Sequence, residues 1–520
     1  MKSRPVPVSK MLAHATLAAV AALAGHHAAW AQSSPAAELK AGAAGTPSAA
    51  AALSLKQLVE RVLESNKTIR SKRAEKDIAA TGIERASAAF QPQASISAMR
   101  GLSRQKNTHE EELIRQSLGI YERESNDYAV GVSQLLSSGA KVEAKASLSS
   151  FLTNNNDPLR PPGANDNRSG LSLSITQPLA RDAGQAVTEA RLEVARLDTV
   201  VAEHASRDTE TSVAAEAIIA YYDLVLAQQR VAAALEKIRS GERLLSEARA
   251  MFRQGRLPEA EVWEVENALA RFQSAVSEAR QGELERVNRL RTQLMAVAAD
   301  TFGAISATDP LPEVSEREIR LEDSLGLALQ RREDFLMRKV QVEREGIQLA
   351  YAQNQALPRI DLIASYGVNG LDYSSRQALR MSQMNDYPTW SLGLQVSVPL
   401  GENLQAKADI AAAALRREDA LLGLKAMEVQ IVNDIDTTLG LRASVAQRWA
   451  LWKQIYGREL QQLELERRKF SAGRSDTREV LLREERVINA RLAEQEQQMA
   501  FGRAEVLLLA AQGTLLDGFR

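Results

Sequence analysis

The chain has 520 residues, with 65 Lys plus Arg against 66 Asp plus Glu, and no cysteine. A formal charge of −1 leaves no basic footprint for nucleic acid, and the missing thiols exclude disulfides, thiolate metal sites, a nucleophilic cysteine and a bacterial lipid-anchor cysteine. Of five histidines only His109 and His204 lie beyond the first 31 residues, so one chain can build no histidine cluster for a metal.

Residues 1–31 carry a basic start (Lys2, Arg4, Lys10), an apolar stretch from Met11 to Ala24 and the small-residue cleavage pattern Ala29-Trp30-Ala31. They are predicted to be a signal peptide for general secretion; the apolar run is short for a membrane anchor and His14 interrupts it. Its removal takes Lys2, Arg4 and Lys10 with it and moves the charge from −1 to −4. Residues 32–52, rich in Ala, Ser, Gly and Pro, read as a flexible tether.

A helix is predicted next, with Leu55, Val59, Val62, Leu63 and Ile69 on one face, running through alanine-rich turns to Pro92. Beyond that proline the period changes to two. Ala94, Ile96 and Ala98 alternate with Ser95 and Ser97, then Leu171, Leu173 and Ile175 alternate with Ser172, Ser174 and Thr176. Between them, Tyr128–Leu136 and Lys141–Phe151 read as two further strands around Ser137-Ser138-Gly139-Ala140. The strands close at Pro178. A helical stretch from about Asp182 to Phe252 follows, interrupted only by Gly184 and Gly241, and at ~1.5 Å per residue it spans on the order of 100 Å. Leu224, Val231, Ile238, Leu245 and Phe252 recur every seventh residue, the spacing of coiled-coil packing. The helix turns at Phe252–Pro258, where Gly255 supplies a left-handed ending, and returns to about Arg291.

Residues 301–318 join this unit to a second with the same order of elements. Leu321, Leu325, Leu329 and Phe335 share a helical face that runs to Pro358; Ile360, Leu362, Ala364 and Tyr366, then Leu392, Leu394, Val396 and Val398, mark two strands closing at Pro399. Trp449, Tyr456, Leu463 and Phe470 again fall seven apart, and the turn Phe470–Asp476 precedes a return helix to about Leu508. The register is nearly constant: Ala190, Leu197, Phe252, Gly255, Arg256, Glu261, Val262 and Glu266 recur 218 residues later as Ala408, Leu415, Phe470, Gly473, Arg474, Glu479, Val480 and Glu484. A period this long indicates a duplicated domain rather than a solenoid, with copies over residues 53–302 and 303–520.

No stretch after the leader approaches the ~20 apolar residues of a spanning helix, so membrane residence, if any, must be as a β-barrel. Alternating strands in an exported chain fit a barrel with lipid outside and water inside, and Tyr128, Phe151, Tyr366, Tyr373, Tyr387 and Trp390 lie where an aromatic girdle would sit. A soluble sandwich uses the same alternation.

Paired strands closing on Gln177-Pro178-Leu179 or Val398-Pro399-Leu400, long alanine-rich helices, and the tip pattern F-x-x-G-x-x-x-x-x-E-V at Phe252–Val262 and Phe470–Val480 resemble the TolC-type outer membrane efflux proteins. The resemblance covers about residues 53–515. It implies a mixed α and β homotrimer, in which a long antiparallel α-helical coiled-coil barrel continues a shared transmembrane β-barrel into the periplasm. The implied function is a passive outer membrane channel-tunnel of a tripartite efflux or type I secretion system. Its implied partners are a periplasmic membrane-fusion adaptor, a proton-driven or ATP-driven inner-membrane pump and outer membrane lipid. No cofactor, metal or enzymatic step is expected. A non-conducting exported coiled-coil adhesin or envelope scaffold is the alternative, though it has no reason to interrupt both coils with barrel strands.

By the same resemblance Glu479 occupies a position where family members place an acidic ring; a first-turn carboxylate favoured by the helix dipole is the plain reading. Where the family has a second acid, this chain has Leu482. Glu261 and Glu264 are candidates to pair with Ser475 or Arg478 of a neighbouring tip and hold a closed gate, against the plain reading of solvated helix charges. Gly255, Arg256, Leu257 and Pro258, with Gly473, Arg474, Ser475 and Asp476, form the tips expected to dock the adaptor. Strands 128–151 either enter the barrel and widen it or fold beside it. Asp434 and Asp436, two apart on a helix, and Glu110 and Glu111, in a polar loop, show no catalytic arrangement.

Overall fold

The computed structural model describes residues 51–115, 118–155, 161, 164–294, 305–315 and 317–519. The predicted signal peptide and nearly all of the tether lie outside them. The tether's last residues do not stay irregular: Ala51–Leu53 form a short strand, β1. In chain order there follow α1 (Leu55–Ser65), α2 (Lys67–Ser87), β2 (Gln93–Lys106), α3 (His109–Ile114), β3 (Ile120–Leu135), β4 (Lys141–Thr153), β5 (Asp166–Pro178), α4 (Gln185–Thr188), α5 (Ala190–Arg253), α6 (Glu259–Leu294) and β6 (Ile305–Ala307). Then come α7 (Leu321–Arg331), α8 (Glu333–Gln355), β7 (Arg359–Asp372), α9 (Ser375–Met381), β8 (Pro388–Ser397), α10 (Leu404–Ser471) and α11 (Thr477–Ala511).

The helix expected from Leu55 to Pro92 breaks at Asn66. Its carboxamide oxygen accepts from the backbone N–H of Thr68 and Ile69, capping α2, while its Nδ2 donates to the Gln293 carbonyl in α6. Asparagine competes with the backbone for helical hydrogen bonds, which a pattern of apolar positions does not register. The helix expected from Leu321 to Pro358 breaks likewise at Arg332, an extended residue whose guanidinium pairs with Asp334 and Asp434. The expected start at Asp182 shifts too: Gly184, at φ +90°, precedes the one-turn α4, and the long helix begins at Ala190. Glu110 and Glu111 sit on α3 rather than in a loop, because Thr108 and Glu111 form a reciprocal cap.

The long helices α5 and α10, with 64 and 68 residues, run about 100 Å each and change neighbours along their length. Towards the sheet, α2 packs on α5, α5 on α8 and α8 on α10. Towards the far end, α6 packs on α5, α5 on α11 and α11 on α10. Between these halves lies the best-buried core, where Leu58, Val62, Ile69, Tyr221, Leu224, Leu290 and Met499 meet. There β1 and β6 pair in parallel, and the buried Tyr221 hydroxyl lies 3.0 Å from the Leu53 carbonyl and 2.9 Å from the Asp309 carboxylate, the two acceptors that share its one hydrogen. The segments that open each half are thus tied to one side chain of α5. Burial pushes the Tyr221 hydroxyl up from its ordinary pKa, so it stays a donor.

The other strands form one antiparallel sheet in the order β2-β3-β4-β5-β7-β8. Strands β2 and β3 are longer than the alternation implied. Their upper ends carry Arg100, Arg104, Glu122 and Glu124, which pair across the two strands and end the apolar pattern without ending the ladder. Among the described residues no helix is long and apolar enough to cross a membrane.

Candidate functional site

The sheet has two chemically distinct faces, and the register shows how far each extends. Ala94, Val132, Ala144, Leu173, Tyr366 and Trp390 are successive cross-strand partners, and so are Ile96, Val130, Ala146, Leu171, Val368 and Pro388. Both apolar rows cross all six strands. The row between them, on the opposite face, reads Ser95, Gly131, Lys145, Ser172, Gly367 and Thr389; its neighbour reads Gln93, Ser133, Glu143, Ser174, Ser365 and Ser391. Alternation by pleat turns a period-two sequence into one apolar and one polar surface. The apolar surface is uncovered here, with Ile96, Trp390 and Leu392 70%, 74% and 66% exposed; beyond these two rows α9 covers the same face at Ser169 and Gly370. Of the anticipated aromatic girdle, Tyr128, Tyr366 and Trp390 stand on this surface; Phe151 is on the polar face, stacked beneath Arg123.

At the far end of the helices the two hairpin tips have the same backbone. Gly255 and Gly473 both adopt φ +68°. At each tip the glycine N–H returns to the carbonyl three residues back, Phe252 or Phe470, and the following arginine N–H returns five residues back, to Met251 or Lys469. This double return satisfies the last carbonyls of the helix and needs a residue that tolerates the left-handed region. Pro258 opens the return in the first tip, its carbonyl accepting from the Glu261 N–H, and Asp476 caps α11 in the second, accepting from the Glu479 N–H at 2.8 Å. Arg256 and Arg474 are exposed, and the Arg256 guanidinium lies beside Gly473, so the tips abut. Val262, Val265, Phe470 and Val480 fill the core between them.

The polar residues expected at a gate divide. Glu261 reaches across to the start of α11, where its Oε2 accepts from the buried Thr477 hydroxyl at 3.2 Å and the Thr477 N–H at 3.4 Å. Ser475 instead donates to buried Glu466 of its own hairpin. That hydroxyl, and then the Lys469 ammonium, hold the Glu466 carboxyl below the usual carboxylate range. Glu264 and Arg478 are exposed and the chain does not bring them together. Glu479 pairs with Arg483 one turn on, at 2.9 Å, in the first turn of α11.

Sequence reasoning missed the partners that matter most here. Glu484 is buried between hairpins, accepting from Ser240 of α5 and pairing with Arg467 of α10. The equivalent pair 218 residues earlier is Arg249 with Glu266. Farther along the same contact, Lys237 bonds Asn489 at 3.0 Å, Arg491 pairs with Glu236 at 3.2 Å and Arg230 pairs with Glu496 at 2.7 Å. The repetition of Glu266 as Glu484 was the available signal. Nothing in a sequence pairs it with Ser240.

A two-faced antiparallel sheet standing on paired helical hairpins is an arrangement shared with solved outer membrane channels. A crystal structure of CusC superposes with a TM-score of 0.61 at 13% identity, over 91% of this chain and 95% of that one. The Campylobacter jejuni CmeC outer membrane channel gives 0.60 at 14% identity over 89% and 86%. The Neisseria gonorrhoeae MtrE outer membrane channel, in its open state, gives 0.59 at 16% over 89% of each. Residues 324–514 match the sequence model of the outer membrane efflux protein family, which bears out the resemblance to that family in the second half of the chain. No curated protein matches the sequence.

Proposed function

We propose that three copies of this chain form an outer membrane channel whose helices continue as a tunnel into the periplasm, a passive conduit for efflux or one-step secretion. The carrying observation is the six-stranded sheet with an uncovered apolar face and a serine- and glycine-rich opposite face. A soluble protein would bury such a surface; in a bilayer it meets lipid while the polar face meets water. The arrangement of edges supports closure between copies. β2 and β8 are the two edge strands, and α2 and α10 are the outer helices of the adjoining wall, so each protomer is a slab whose strand edges and helix edges coincide.

In this reading the helical tips point into the periplasm, where Gly255 to Pro258 and Gly473 to Asp476 dock an adaptor that couples the tunnel to an energised inner-membrane pump. Three copies of Glu479 around the axis would focus a negative potential at the narrow end, favouring cations, once each carboxylate is released from the Arg483 that pairs with it at 2.9 Å within the chain. The duplication of residues 53–302 as 303–520 gives two similar hairpins per copy, a sixfold pseudo-repeat around a threefold assembly.

Purified protein in mild detergent is expected to migrate as a trimer that shifts on boiling, and to pass current across a planar bilayer. A heat-insensitive monomer that conducts nothing would overturn this function.

A further inference from the structure

We propose that the hairpin β3–β4 belongs to the membrane wall and pairs into a barrel of eighteen strands, with β8 of one copy zipped antiparallel to β2 of the next. The inference rests on the trimeric channel reading and adds the width of the wall to it.

Both apolar rows run through β3 and β4 without a break, at Val130 and Val132 and at Ala144 and Ala146, level with Leu171 and Leu173 of β5. Lys145 and Glu143 fall on the polar face with Ser172 and Ser174. A hairpin lying beside a barrel would not need lipid-matched and water-matched residues in register with wall strands on both sides. The topology agrees. β2 ascends from the helices, β3 descends to the turn at Ser137–Ala140, and β4 ascends again before β5 descends, so β3 and β4 separate β2 from β5 completely. The lower turn is fixed to the helical side: the Gly184 N–H donates to the Ser138 carbonyl at 3.1 Å, and Gly139, at φ +88°, packs on the connection to α5 so closely that a β-carbon would overlap the Asp182 carbonyl.

The dimensions agree as well. Along the row from Gln93 to Ser391, the distance from each strand's helix-side end grows by six residues over five strand intervals. That is about 20 Å along the strands against about 24 Å across them, a tilt near 40°. Eighteen strands at that tilt close a circumference of about 113 Å, roughly 36 Å in diameter, whereas twelve would close about 75 Å, roughly 24 Å in diameter. The adjoining wall has four helices per copy, α2, α5, α8 and α10, and twelve helices at about 9 Å spacing measure about 108 Å. Eighteen strands therefore meet the helical wall at its own girth. The free edges of β2 and β8 run in opposite directions, so pairing between copies continues the same antiparallel ladder, and closure leaves no open edge.

The test uses single cysteines in the full-length trimer, since the chain has none of its own. In proteoliposomes, Val130→Cys and Ala146→Cys are expected to resist a charged thiol reagent and to react with a membrane-soluble maleimide to the same extent as Ile96→Cys and Leu392→Cys. Lys145→Cys and Ser147→Cys should show the opposite preference. If Val130→Cys and Ala146→Cys react with the charged reagent while Ile96→Cys and Leu392→Cys do not, the hairpin lies outside the wall and the inference falls while the channel reading stands. If all four react with it, both fall. Electron cryo-microscopy of the trimer in nanodiscs should count eighteen strands; twelve would refute the wider wall. Deletion of residues 120–153 joins an ascending β2 to a descending β5, and its barrel should narrow to about two-thirds of the original diameter. A deletion variant with an unchanged diameter would count against the hairpin's place in the wall.

Discussion

The bond between Glu261 and Thr477 is the contact that should report most directly on how the tips are held. Thr477→Val keeps the branched shape in a buried position and removes the hydroxyl that donates to Glu261 at 3.2 Å. A hydrogen bond to a charged acceptor contributes about 1.5 to 3 kcal/mol, and because Glu261 is partly exposed the lower end, about 1.5 kcal/mol, applies. That magnitude is roughly a tenfold increase in the population with the first turn of α11 released. Native-state hydrogen exchange read on peptides covering residues 475–483 measures it, with peptides from the middle of α10 as the internal reference. Glu261→Gln retains an acceptor oxygen and should lose less; Glu264→Gln should change nothing. Unchanged protection in Thr477→Val would show that the apolar contact of Val262, Phe470 and Val480 alone holds the tips together, and the polar link would have no part in it.

Glu466 is held below the ordinary carboxylate range, so its contribution to stability is complete above that range and is lost as pH falls through its depressed pKa. Ser475→Ala removes the first of those holds and brings the folded and unfolded carboxyls closer in pKa, so melting followed from about pH 7 to about pH 3 should show a lower Tm at neutral pH and a smaller further loss on acidification than in the parent chain. Gly370→Ala would drive a β-carbon into the Ala378 carbonyl, with the Met381 Cβ only 2.9 Å away, so α9 must shift off the sheet. The cost is on the order of 1–3 kcal/mol, read as a lower temperature for conversion of trimer to monomer on gels. Reversal of both tip charges, Arg256→Glu with Arg474→Glu, is expected to abolish transport while trimers still form; unimpaired export in a susceptibility assay would remove the docking role of the tips.

The order of elements was legible because each signal was local. Period two after Pro92 and Pro358 marked strands, and Gly255 and Gly473 marked turns whose geometry the structure reproduces at both sites. Breaks that depend on a single competing side chain were not legible. Asn66 ends a helix only because its carboxamide finds two amides ahead and a carbonyl on α6. The upper halves of β2 and β3 were hidden because Arg104 opposite Glu122 satisfies a ladder as well as two valines would, and leaves no alternation to read. At the tips, the partner of Glu261 within the chain is Thr477 rather than Ser475 or Arg478, since rotation about α11 decides which residue faces α6. Glu484 was legible only as the repeat of Glu266, because its partner Ser240 lies 244 residues away.

The unbroken course of α5 and α10, set beside the four shorter helices that flank them, gives the molecule a mechanical asymmetry. Bending either long strut would strain many consecutive backbone bonds, whereas α6 and α11 hang from it by side chains and a single tip turn each. Any dilation of the far end is therefore cheapest as a swing of the two hung rods, each pivoting near the Tyr221 knot, with the load falling first on the few polar rivets between them.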